Sequence, residues 1–78
     1  MPELKALVLR LARGLADEPD GVLVEASERE GLVRLRVAAA DADKGKIIGK
    51  QGRVIKAIRC LAGLAAAKAG KRAMVEVD

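Results

Sequence analysis

From Glu3 to Leu15 the apolar residues Leu4, Leu7, Val8, Leu11 and Leu15 recur at helical spacing, with Lys5, Arg10 and Arg13 off that stripe. The pattern predicts an amphipathic helix. Pro19-Asp20-Gly21 then breaks the chain. Two strands are predicted next, Val22 to Ala26 and Leu32 to Ala38, joined through Glu28-Arg29-Glu30-Gly31. In the second strand Val33, Leu35 and Val37 alternate with Arg34 and Arg36, so one face is expected to be buried and the other basic. Asp41 or Asp43 is expected to cap a short helix reaching Ile48. A longer helix is predicted from Gly52 to Lys68, with Val54, Ile58, Leu61 and Ala65 along its apolar stripe. Gly70 and Lys71 stop it, and Ala73 to Val77 form a last strand.

The predicted order is helix, strand, strand, helix, helix, strand. A hairpin followed by a third strand reached through a helical crossover makes a three-stranded mixed sheet. Three helices covering one face of it give a two-layer α+β domain. With 78 residues the chain is read as a single domain, residues 1–78. Phe, Trp and Tyr are absent, so Val, Leu, Ile and Ala must fill the interior. A domain this short buries a smaller share of its surface than a larger one, and its core is marginal. A stable partner or self-association would help it.

The polar inventory narrows the chemistry. There is no His, Thr, Asn or Tyr, and Ser27 and Gln51 are the only uncharged hydroxyl or amide side chains. Acid–base work near neutral pH usually recruits His, and nucleophilic catalysis needs an activated side chain. Ser27 stands among Glu28, Arg29 and Glu30 with no base beside it. Cys60, flanked by Ile58, Leu61 and Ala62, reads as a small buried hydrophobe. One Cys and no His cannot build a zinc site or an internal disulfide. A non-catalytic protein without metal, cofactor or small-molecule substrate is therefore expected. No apolar run approaches the roughly 18 residues that span a bilayer, and the N-terminus does not resemble a signal peptide. A cytoplasmic protein with no membrane contact is expected.

Charge is unevenly distributed. Residues 1–43 carry 6 basic and 9 acidic side chains, a net of −3, whereas residues 44–78 carry 9 and 2, a net of +7. Between Lys44 and Val75 there is no carboxylate. Such a stretch suits a polyanion, although a solvated basic face accounts for the charge equally well.

Inside that stretch, Ile47-Ile48-Gly49-Lys50-Gln51-Gly52-Arg53-Val54-Ile55 links the two helices by a four-residue turn framed by glycines. Glycines without Cβ atoms let the backbone take unusual dihedrals and let a ligand's backbone approach. The first amides of the following helix, with its dipole, favour an anion. Lys50, Arg53 and Lys56 add positive charge, and Gln51 can donate and accept at the tip. Two glycines three apart also serve any tight helix–helix turn; the basic tip and the flanking helices shift the balance. Neither a P-loop nor a Gly-x-Gly-x-x-Gly run is present.

This segment resembles the signature of KH domains, whose GXXG loop joins two helices and clamps four backbone nucleotides. The predicted element order resembles the type II version of the fold over essentially the whole chain. The stretch Lys44 to Arg59 and the short length look like the bacterial KhpA family of single-KH proteins. The resemblance implies single-stranded RNA as the ligand. Lys46, Ile47, Ile48, Gly49, Lys50, Gln51, Gly52, Arg53, Val54, Ile55 and Lys56 are then the RNA-binding residues. Phosphates would lie against the glycine loop, and bases on an apolar groove built from Ile47 or Ile48, Val54 or Ile55 and a neighbouring strand. Consecutive helical residues point about 100° apart, so one isoleucine is expected to face the groove and one the core. Without aromatic rings to stack bases, sequence selectivity is expected to be weak. Arg59 and Lys68 are expected in solvent, as are Arg34 and Arg36. The resemblance further implies an RNA chaperone or post-transcriptional regulator linked to cell elongation and division. It also implies self-association to a homodimer and pairing with the KhpB (Jag/EloR) family of multidomain KH proteins. An alternative is a KH-fold interaction module whose partner carries the RNA binding.

Overall fold

A computed structural model describes residues 2–78. Helix α1 spans Pro2–Leu15, strand β1 Leu23–Arg29, strand β2 Leu32–Ala38, helix α2 Asp41–Ile48, helix α3 Arg53–Lys68 and strand β3 Arg72–Val77. The sheet order is β1-β2-β3, with β1 antiparallel and β3 parallel to the central β2. This is the mixed three-stranded α+β architecture that the periodicity predicts.

The alternation in the strands determines which face the helices cover. Val24, Val33, Leu35, Val37 and Val75 are buried beneath them, while Arg34 and Arg36 stand on the open face in ion pairs with Glu76 and Asp78. Strand β1 runs three residues beyond its predicted end. Glu30 and Gly31 form a two-residue turn with φ of 52° and 79°, so pairing continues through Arg29 opposite Leu32. A turn with both φ values positive follows the twist of the strands, and backbone pairing can then extend over polar residues that show no hydrophobic alternation.

The helices bury somewhat different residues from those predicted. In α1 the core positions are Leu4, Val8 and Ala12, with Leu15 partly exposed. In α3 they are Ile55, Ile58, Ala62 and Ala66, whereas Leu61 is 47% exposed and Cys60 lies at the surface. The expectations for Leu61 and Cys60 are thus corrected. Residues 54–67 are apolar around nearly the whole helix, so several stripes fit a 3.6-residue period. The stripe chosen presents small alanines, which allow close approach of the helix backbone to its neighbours. Arg59 is exposed, as expected, and its Nε also donates to the Val75 carbonyl at 3.0 Å, which ties α3 to β3. Among the described residues no helix is long and apolar enough to cross a membrane.

Candidate nucleic-acid interface

Helix α2 ends where Gly49 N–H donates to the Gly45 carbonyl at 2.8 Å. Gly49 then takes φ 79° and ψ 171°. A Cβ there would come within 2.3 Å of Val54 Cγ2 and 2.8 Å of the Val54 backbone nitrogen, so no side chain fits. Lys50–Gly52 form one tight turn, closed by Gly52 N–H donating to the Gly49 carbonyl at 3.1 Å. Gln51 (φ 57°, ψ 26°) and Gly52 (φ 73°, ψ 16°) are both left-handed. For a residue with a Cβ this region costs about 1–2 kcal/mol, and strain of this kind gathers at ligand clamps. At Gly52 space is not limiting, since a Cβ would meet only Ile55 Cγ2 at 3.9 Å; the backbone conformation is.

The flanking isoleucines divide as their angular offset requires. Ile47 is fully buried and Ile48 is 39% exposed. On the far side Ile55 is buried in the core, while Val54 packs against Gly49 and remains half-buried. Ile48 and Val54 are therefore the apolar side chains of the segment that reach the surface near the turn. Lys50, Gln51, Arg53 and Lys56 are all exposed.

The long acid-free stretch is partly neutralised by ion pairs, one local within α2 and two tertiary. Lys44 pairs with Asp41, Lys46 with Asp17 and Lys71 with Glu28, all carboxylates from the acidic half of the chain. Lys50, Arg53 and Lys56 have no carboxylate within ion-pair distance among the described residues. The unpaired positive charge thus includes the turn and the first turn of α3. The Asp17 carboxylate beside Lys46 raises the pKa of its ammonium above the usual lysine range.

One residue of this region carries a role that the sequence reading missed. Neither Asp41 nor Asp43 caps α2; the cap position is Ala40 and makes no side-chain bond. Asp43 is instead buried, and its two carboxylate oxygens accept from the backbone N–H groups of Asp17 at 3.0 Å and Glu18 at 3.1 Å. These bonds, first that from Asp17 and then that from Glu18, hold its pKa below the ordinary carboxylate value, with a smaller contribution from Lys46. The signal was its spacing of four from Ile47, which puts both on one helix face. Among the described residues no cluster of three His, Cys, Asp or Glu could hold a metal ion.

A βααβ core with a glycine-framed turn between its two helices, preceded by a helix and a strand, defines the type II KH fold. Comparison with solved structures agrees: the chain resembles part of the Era protein of Aquifex aeolicus, solved with GDP and aluminium fluoride. The TM-score is 0.68 at 21% identity, covering 95% of this chain and 29% of that one. The model of the KhpA/KhpB KH domain matches residues 5–77, and the chain belongs to that family. It is 43% identical to RNA-binding protein KhpA of Clostridium acetobutylicum, over 95% of this chain and 99% of the relative. The KhpA of Bacillus subtilis is 35% identical over 95% of this chain and 91% of its own. That of Treponema pallidum is 39% identical over 91% and 89%.

Proposed function

We propose that this protein binds single-stranded RNA, without catalysis and with low sequence specificity, through the Gly49–Gly52 turn. The observation that carries the reading is the turn itself. Glycine is obligatory at Gly49, strain is held at Gln51, and three exposed cations, Lys50, Arg53 and Lys56, stand around them without a neutralising carboxylate among the described residues. Phosphates would be held by those cations and by the backbone of the turn, and bases would rest on Ile48 and Val54. Ile47 and Ile55 would support the groove from the core beneath it. Relatives named as RNA-binding proteins support the same ligand.

The scarcity of amide and hydroxyl groups favours shape and charge over base reading. Membership of the KhpA/KhpB family supports a finer reading, in which the protein acts in the cytoplasm as an RNA chaperone or post-transcriptional regulator linked to cell elongation and division. A second activity, self-association or pairing with a KhpB-family protein, is supported by the outer face of α3, where Leu61 and Leu64 are 47% and 61% exposed. Large apolar side chains at adjacent helical positions are what a helix-mediated contact would cover.

Fluorescence anisotropy with a short single-stranded RNA tests the reading. Wild type should bind in a salt-sensitive manner, and Lys50→Asp combined with Gln51→Asp should abolish binding while the circular dichroism stays unchanged. Equal binding by the two proteins would refute the loop mechanism. Failure of both to bind, with a stable dimer in light scattering, would favour the interaction module.

A further inference from the structure

Helix α2, which delivers the chain to the Gly49–Gly52 turn, has little to hold it in place. It is eight residues long, contains Gly45, has no side-chain cap, and buries only Asp43 and Ile47. Helices this short are marginal in isolation, and an internal glycine weakens them further. What α2 has instead is a polar attachment to the segment after α1. Asp43 receives the Asp17 and Glu18 backbone N–H groups, and one turn later Lys46 pairs with the Asp17 side chain. Both contacts are made to the same two residues of the connection, so beyond the packing of Ile47 on the core the polar attachment of α2 is concentrated at a single point. Asp43 is 1% exposed, so water cannot readily replace the two amides if they leave.

We propose that Asp43 is a positioning residue for the RNA site, its carboxylate fastening α2 to the Asp17–Glu18 backbone and thereby setting the Gly49–Gly52 turn in its binding conformation. The proposal rests on the turn being the RNA site, and it assigns Asp43 no contact with RNA. The mechanical link is short. Asp43 and Ile47 share the inward face of α2, and Gly49 N–H is hydrogen-bonded to Gly45 within the same helix. A shift or fraying of α2 would move Gly49 relative to Val54, against which it packs so closely that a Cβ has no room.

The test compares wild type with Asp43→Asn and Asp17→Asn. The first keeps side-chain size but replaces one accepting oxygen with an amide that faces a backbone N–H. The second keeps the Asp17 N–H and removes only the Lys46 pair. RNA affinity is read by anisotropy with a labelled oligouridylate, and the turn by the amide resonances of Gly49, Gln51 and Gly52 without RNA. Folded Asp43→Asn should show displaced turn resonances and roughly tenfold weaker binding, the lower end of what supporting contacts one step from a ligand contribute in metal sites. Asp17→Asn should leave the turn resonances in place. If Asp43→Asn is less stable yet binds like wild type with unmoved turn resonances, Asp43 is structural only and the proposal is overturned. A measurement on wild type alone guards against a variant that does not fold. Because coupling is reciprocal, saturating RNA must slow hydrogen exchange at the Asp17 and Glu18 amides, and unchanged exchange there would overturn the proposal. Should wild type ignore the RNA, the functional reading fails while the resonances of Asp43→Asn still decide whether Asp43 sets the turn.

Discussion

At Gly49 and Gly52 the same residue type is required for different reasons, and substitution should separate them. Gly49→Ala meets Val54 at a distance that no real Cβ shows, and adds left-handed strain to the clash. Gly52→Ala has room and carries only the conformational term, about 1–2 kcal/mol. Thermal melts should therefore find Gly49→Ala the more destabilised, and anisotropy should find it the weaker RNA binder. Asp17 provides a second contrast. Its carboxylate neutralises the exposed Lys46, so Asp17→Asn should tighten RNA binding modestly and steepen its salt dependence by about 0.7, the slope expected per single-strand phosphate contact. An unchanged slope would mean that Lys46 does not reach the RNA. The glycines, Lys50 and Gln51 were legible in the sequence because their chemistry is local. The partner of Lys46 was not, because Asp17 lies 29 residues away and meets it only through the packing of α1 on α2.

Among the elements, the hairpin carries a mismatch that can be exploited. Its two-residue turn places Glu30 at φ 52°, where Asn is better tolerated, ahead of Gly31 at φ 79°. Glu30→Asn should raise the melting temperature, by an amount matching roughly 1 kcal/mol, without changing RNA affinity. Helix α3 carries the opposite lesson. Its apolar residues nearly encircle it, so periodicity alone could not choose between the stripe through Leu61 and that through Ala62 and Ala66. Packing against β3 and α1 selected the alanines and left Leu61 and Leu64 outside. Replacing both leucines with Glu should leave the monomer folded and shift any dimer to monomer in light scattering. The strands were easier to read, since a period of two with Val and Leu on one face admits a single register relative to the core.

For the whole molecule, charge couples the two halves. Lys46 and Lys71 are matched by distant acidic residues of the first half and Lys44 by Asp41 within α2, which leaves the turn and the start of α3 among the regions of unpaired positive charge. Three cations at the site, Lys50, Arg53 and Lys56, predict a slope of log affinity against log salt of roughly −2 for single-stranded RNA. The same coupling makes stability depend on pH. Asp43 has a folded pKa below its unfolded value of about 3.9, so its contribution is present above that value and is lost as pH falls through the depressed one. Glu28, held low chiefly by its bond to Lys71, adds to the same acid limb. Denaturant midpoints measured as pH falls below about 4 should drop more steeply for wild type than for Asp43→Asn, the difference isolating Asp43. Parallel curves would show that its carboxylate is not bonded as described.

Element order, the inward face of the strands and the glycine turn followed from the sequence because each is decided within a few residues, by periodicity, by turn dihedrals or by the absence of a Cβ. The burial of Ile47 rather than Ile48, the alanine face of α3 and the attachment of Asp43 to the Asp17 and Glu18 amides were decided by the tertiary structure alone. Each depends on which surfaces meet once helices are laid on the sheet. A buried carboxylate in particular is stable only where the fold brings it donors, and these came from the backbone of a segment 25 and 26 residues distant.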